Sequence, residues 1–245
     1  MSATTVPAAD RLPSMVTSPT AGAAVEDAIR ELRPNLYKSF LYTRFLVGVV
    51  GVLLPIMLIG SDLVVFGNAP RGSLSAYYYH PSFLHVWFVG SLWAIGVGLM
   101  VYMGTRKSST AGLLSTFAGV AALVVALFPT GDVGVDGGWV TKVHFLAAAV
   151  VIGGLAALCV GFSIYDRNRT DSDANAERAR RFAPVHLVMA GLIVLGIVAA
   201  LATSLFGFWP AYGVLFGEAL AILAFGVSWT LKGAELWSGA MRGVG

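Results

Sequence analysis

Six apolar blocks, each roughly 18 to 22 residues long and separated by short polar stretches, constrain this chain more than anything else in it. A helix of that length rises far enough to cross a hydrocarbon layer about 30 Å thick. The blocks lie near 43–66, 83–104, 111–129, 142–164, 183–206 and 212–232. Only 12% of the 245 residues are charged, against about 25% in a soluble domain, and this excludes an ordinary soluble enzyme. The fold expected is all-α: a polytopic membrane protein built as one bundle of six transmembrane helices, with no room for a sizeable soluble domain. Pro55 is expected to bend the first span and Pro129 to stop the third, because proline removes a backbone donor and crowds the preceding turn.

The basic residues set the expected orientation. Of the 16 Lys and Arg, all but Arg71 and Lys142 fall in the tail, the even-numbered loops or the C-terminus. The positive-inside rule then places both termini in the cytoplasm, and it explains the net charge of +3 without nucleic-acid binding. Residues 1–35 contain no apolar signal-peptide core and are expected to be a retained cytoplasmic tail. Within the tail, Val25, Ile29 and Leu32 are spaced as the apolar face of a short surface helix that Pro34 ends. Residues 36–237 form the six-helix domain and 238–245 a short C-terminal tail. The lone Cys159 permits no intramolecular disulfide.

Small residues recur every fourth position at Gly90, Ala94 and Gly98, and again at Ala149, Gly153, Ala157 and Gly161. Such stripes are expected to be packing seams between helices, or faces for a homo- or hetero-oligomer. Most other polar residues gather at the extracytoplasmic helix ends: Asp62, Ser73, Ser75, His80, His85, Ser91, Thr130, Asp132, Asp136, His144 and Glu218. Glu218 lies some two turns inside the sixth span, where an unpaired carboxylate costs about 2–3 kcal/mol, so it is expected to face the interior. His85 and His144 open the second and fourth spans, and both are expected to join Glu218 at one outward-facing cavity. The candidate ligand-binding set is therefore His80, His85, Asp132, His144 and Glu218, with His144, Glu218 and Ser75 as candidate catalytic groups. Asp62 and Asp132 are expected to cap helices or pair with Arg71 and Lys142, and His186 is expected to be solvated.

The segments SLSAYYYH (73–80), FVGSLWAIGVGLMVY (88–102), GVAALVVALFPTGD (119–132), VHFLAAAV (143–150) and FGEALAILAFGVSW (216–229) carry a family resemblance. The chain resembles a family of uncharacterised bacterial six-helix membrane proteins, known by a domain-of-unknown-function label and distantly related to the damage-regulated autophagy modulator proteins. Phe128-Pro129, His144 and Glu218 match its recurring features. The resemblance implies a bacterial inner (plasma) membrane location but no activity.

Three functional classes stay open on these residues. The first is a lipid- or amphiphile-binding protein or accessory membrane subunit. The second is a zinc-dependent lipid hydrolase similar to the alkaline ceramidases and adiponectin receptors, with His80, Asp132 and His144 as metal ligands and Ser75 beside them. This chain departs from that pattern, lacking two histidines one turn apart on a late helix. The third is a carrier of b-type haem held between His85 and His144.

Overall fold

The computed structural model describes residues 21–102, 109–131, 138–169 and 174–242. Asp132 and Asp136 lie outside the described residues. The chain divides into two units, Met1–Ser39 and Phe40–Gly245, and the second holds the bundle.

The helices are α1 (Ala21–Val64), α2 (Phe83–Val101), α3 (Ser109–Leu127), α4 (Gly138–Arg167), α5 (Ala174–Phe206) and α6 (Gly213–Arg242). A short 3-10 helix, Ser75–Tyr79, interrupts the α1–α2 connection. Each of the six helices contains a segment long and apolar enough to cross a membrane, so the chain is a multi-pass membrane protein. Its exterior agrees: Leu46, Val86, Leu146, Leu201 and Phe206 stand exposed, as side chains solvated by lipid do.

Several boundaries differ from the sequence reading. Helical backbone continues through Pro34, which therefore does not end a separate tail helix. One missing N–H removes a single backbone bond, and the flanking turns keep theirs. Pro129 does follow the end of α3 at Leu127. The last turns of α4 and α6 run past the apolar blocks to Arg167 and Arg242, and α5 starts nine residues before its block. Asp166 and Glu235 thereby become bundle residues.

Sequence-adjacent helices pack in turn from α2 to α6, and α4 also touches α6. The membrane part of α1 closes the ring: Val47 meets Gly98 of α2, while Gly48 and Gly51 meet Gly226 of α6. Close backbone approach fixes these crossings, since lipid supplies no hydrophobic drive for helices to associate. A Cβ at Gly217 would fall on the Gly196 carbonyl oxygen, and one at Gly119 on that of Gly96.

The expected seams are corrected by this geometry. Of the α2 stripe only Gly98 packs against a neighbouring helix, while Gly90 and Ala94 are exposed and the close contact to α3 is made by Gly96, outside the stripe. On α4 the working contact is Gly154 against Ala118, whereas Ala149, Gly153, Ala157 and Gly161 form an exposed stripe. A four-residue repeat identifies a helix face without saying which neighbour covers it.

Leu54, Leu58, Ile95, Leu155, Ile193 and Phe225 build the core. Gly217→Val is expected to lower stability by about 1–3 kcal/mol, the usual cost of overpacking. Gly153→Val, with nothing within 4 Å of its added Cβ, should change it by no more than about 0.5 kcal/mol. Thermal unfolding of the detergent-solubilised variants checks both.

Candidate functional site

The α1–α2 connection is a fixed cap over one end of the bundle. Gly72 accepts a backbone bond from Leu215 at 3.0 Å, which ties the cap to the first turn of α6. The Leu74 N–H donates to Glu218 Oε2 at 2.6 Å, one turn further along. The Tyr79 hydroxyl donates to the Thr130 carbonyl at 2.5 Å, joining the cap to the α3–α4 connection. Ser73 stabilises the 3-10 helix, its hydroxyl accepting from the Ala76 N–H at 3.1 Å. Leu74 and Tyr77 plug the bundle end, both nearly inaccessible. Burial, and then the neighbouring Asp62 carboxylate, push the Tyr77 phenol above its ordinary pKa, so it stays protonated at any physiological pH.

Beneath the cap lies a cavity of about 60 Å³ with Ser75, His144 and Glu218 in its walls. Three of the residues singled out from the sequence thus converge from the cap, α4 and α6. The remaining walls are mostly apolar, including Leu54 from α1, Phe88 and Leu92 from α2, and Ile222 from α6.

Hydrogen bonds settle the proton on His144. Its Nδ1 lies 2.7 Å from the Phe128 carbonyl oxygen, which only accepts. Nδ1 therefore carries the hydrogen, and in the neutral ring Nε2 is the acceptor. Pro129 is the structural reason: α3 ends just before it, and the freed Phe128 carbonyl takes the histidine. Glu218 holds one oxygen on the cap, and Ser75 shares a 3.1 Å hydroxyl contact with Ser73.

His80 has the opposite tautomer. The Ser82 N–H donates to its Nδ1 at 3.2 Å, so the hydrogen sits on Nε2 and is given to Asp62 Oδ1 at 3.0 Å. Asp62 thus pairs with His80 and not with Arg71, as the sequence reading had it. Both His80 nitrogens are engaged, and a metal ligand role would require breaking one of those bonds. His85 lies outside the cavity lining: its Nδ1–H donates to the Tyr78 carbonyl and its ring packs edge-on against Tyr78 at 4.8 Å. A haem between His85 and His144 would need both rings to face one space, and only His144 faces this one.

A second polar cluster, at the opposite end, escaped the sequence reading. Asp166, at the end of α4, accepts from Lys232 of α6, which also donates to Glu235 at 2.7 Å. His186 of α5 is fully buried, correcting the expectation that it is solvated. Its Nδ1 lies 2.8 Å from the Ser228 hydroxyl, and its Nε2 lies 3.7 Å from Asp166 Oδ2. Ligand atoms of Asp166, His186 and Glu235 lie within 4.8 Å of one another, the spacing of a metal-binding triad. The Lys232 ammonium already sits against both carboxylates, however, so a cation would first have to displace it. The signals available were the i, i+3 pair Lys232 and Glu235 and the position of Asp166 two residues beyond its apolar block.

Comparison with known proteins finds no matching family model, curated protein or solved structure.

The Asp62–His80 bond is expected to show a coupling energy of about 0.5–3 kcal/mol in a double-mutant cycle of Asp62→Ala and His80→Ala. The parallel cycle of Asp62→Ala with His85→Ala should be additive, because His85 is held by Tyr78 instead. Chemical denaturation in detergent provides the measurement.

Proposed function

We propose that this chain is a membrane-embedded binding protein of the bacterial plasma membrane, with both termini cytoplasmic and the capped cavity facing outward. Its ligand is the polar head of a lipid or small amphiphile. The observation that carries this reading is the convergence of Ser75, His144 and Glu218 on one otherwise apolar cavity.

The chemistry of the walls defines what fits. His144 Nε2 accepts, the Glu218 carboxyl group accepts or exchanges a proton, and the Ser75 hydroxyl does both. A head bearing N–H or O–H donors satisfies all three. The volume of about 60 Å³ admits such a group but no acyl chain, which would lie along the apolar side toward Leu92 and Ile222. The distribution of Lys and Arg supports the orientation.

A zinc-dependent hydrolase is the competing chemistry. In its favour, a histidine whose Nδ1–H is held by a carbonyl presents Nε2 as metal-ligating histidines do. Against it, His80 is engaged at both nitrogens. The exposed stripe from Ala149 to Gly161 favours a further role as an accessory subunit, since small residues let a partner helix approach closely.

Native mass spectrometry of protein extracted from bacterial membranes in mild detergent tests the binding reading. The wild-type protein is expected to retain an amphiphile that Ala148→Leu, which fills the cavity from α4, and Glu218→Ala both lose. Retention unchanged in both variants, or no retained molecule in the wild type, refutes it. Stoichiometric zinc by elemental analysis of the same sample would transfer the site to the hydrolase reading.

A further inference from the structure

Arg44 lies about two turns inside the membrane segment of α1 and is only 4% exposed. Its guanidinium sits over three aromatic rings, with centroids 4.8 Å away for Tyr102, 4.8 Å for Phe162 and 4.6 Å for Trp229. Such contacts attract the cation, yet rings neither neutralise a charge nor accept well-formed hydrogen bonds. Nε and Nη2 of Arg44 are buried without a hydrogen-bond partner. The nearby carboxylates are taken: Asp166 and Glu235 bond Lys232, and Arg169 lies 3.9 Å from Glu235. Among the described residues no carboxylate forms an ion pair with Arg44.

A cavity of about 340 Å³ opens at this point. Arg44, Arg169 and Lys232 line it, and among the described residues no carboxylate does. Its wall on the α4 side includes Ala157 and Gly161, one end of the exposed small-residue stripe, beside Phe162 and Tyr165. Gly153 and Ala149 continue that face along the helix, so a flexible chain entering the cavity has a shallow apolar track beside it. Leu114 and Leu158 complete the apolar side.

We infer that this cavity binds the phosphate of an anionic amphiphile, with the anion on Arg44, Arg169 and Lys232 and the acyl chain against Ala157 and Gly161 of α4. The phosphate then supplies Arg44 with the counter-charge that the described carboxylates do not. The site is independent of the capped cavity, sharing no lining residue with it. It lies at the end where Lys and Arg concentrate, which faces the anionic cytoplasmic leaflet in the orientation proposed above.

Purified, delipidated protein is titrated with didecanoyl phosphatidate, didecanoyl phosphatidylcholine and inorganic phosphate, with binding read by native mass spectrometry and thermal shift. Phosphatidate is expected to bind more than about tenfold tighter than phosphatidylcholine, since each basic group near an anionic head contributes about 1 kcal/mol. Arg44→Gln should remove that preference. Because loss of a buried arginine can impair folding, Gly161→Leu supplies the second variant: nothing lies within 4 Å of its added Cβ, and it narrows the cavity without touching Arg44. It should weaken phosphatidate by a similar factor while leaving the melting temperature of the empty protein unchanged. Inorganic phosphate protecting as well as phosphatidate would support the anion site and assign it to a soluble phosphate. Equal binding of the two lipids to the wild type, or full phosphatidate affinity in both variants, overturns the inference.

Discussion

Hydrocarbon offers no partner to a buried polar group, and that constraint organises this molecule from end to end. The backbone meets it by folding into helices, and the side chains meet it by gathering at two levels. At one level the cap takes Glu218 with a backbone N–H and Asp62 with His80. At the other, Lys232 joins Asp166 of α4 to Glu235 of α6. Between them the bundle interior is apolar, from Leu54 and Leu58 through Ile95 and Leu155 to Phe225. Departures from full satisfaction are therefore informative, and one of them, the guanidinium of Arg44, lines a cavity.

Much of this was legible in the amino-acid order. Apolar block length identified six spans, and the depth of Glu218 and His144 within their blocks led to a shared cavity that the structure forms with Ser75. What stayed hidden shares a physical origin. Hydropathy marks where apolar residues stop, but a helix stops where its backbone bonds stop, and α4 and α6 run past their blocks. Asp166, Lys232 and Glu235 read as loop and tail charges for that reason. His186 read as solvated because its partner, Ser228, lies 42 residues away on another helix. The glycine stripes show the same limit, since a period of four states that residues share a face and leaves the facing element unnamed.

Proline and serine do quiet work in shaping the capped site. Pro129 keeps α3 from continuing, which releases the Phe128 carbonyl to hold His144 and fixes its tautomer. Ser82 caps α2 by accepting from the Leu84 N–H at 3.2 Å, and its hydroxyl and N–H together hold His80 in the opposite tautomer. Two histidines of identical chemistry are thereby assigned different tasks by helix termini. His80 is committed to Asp62 and holds the cap to α1, whereas His144 is anchored on one nitrogen and open on the other. Only the second arrangement leaves a group able to meet a ligand.

The apolar middle also bears on transport. Carriers and proton relays place their binding groups near the midplane, on interrupted helices or in chains of polar side chains that hand a charge across. Here the two polar levels lie at opposite ends, and the buried residues between them are mainly Leu, Ile, Val, Ala and Phe, with Ser91 of α2 among them. A charge leaving Glu218 for Asp166 would have to cross that layer unsolvated. In the reading proposed above, the two ends are separate binding surfaces on a shared scaffold. A single helix, α4, contributes to both, with His144 near its start and Gly161 near its end.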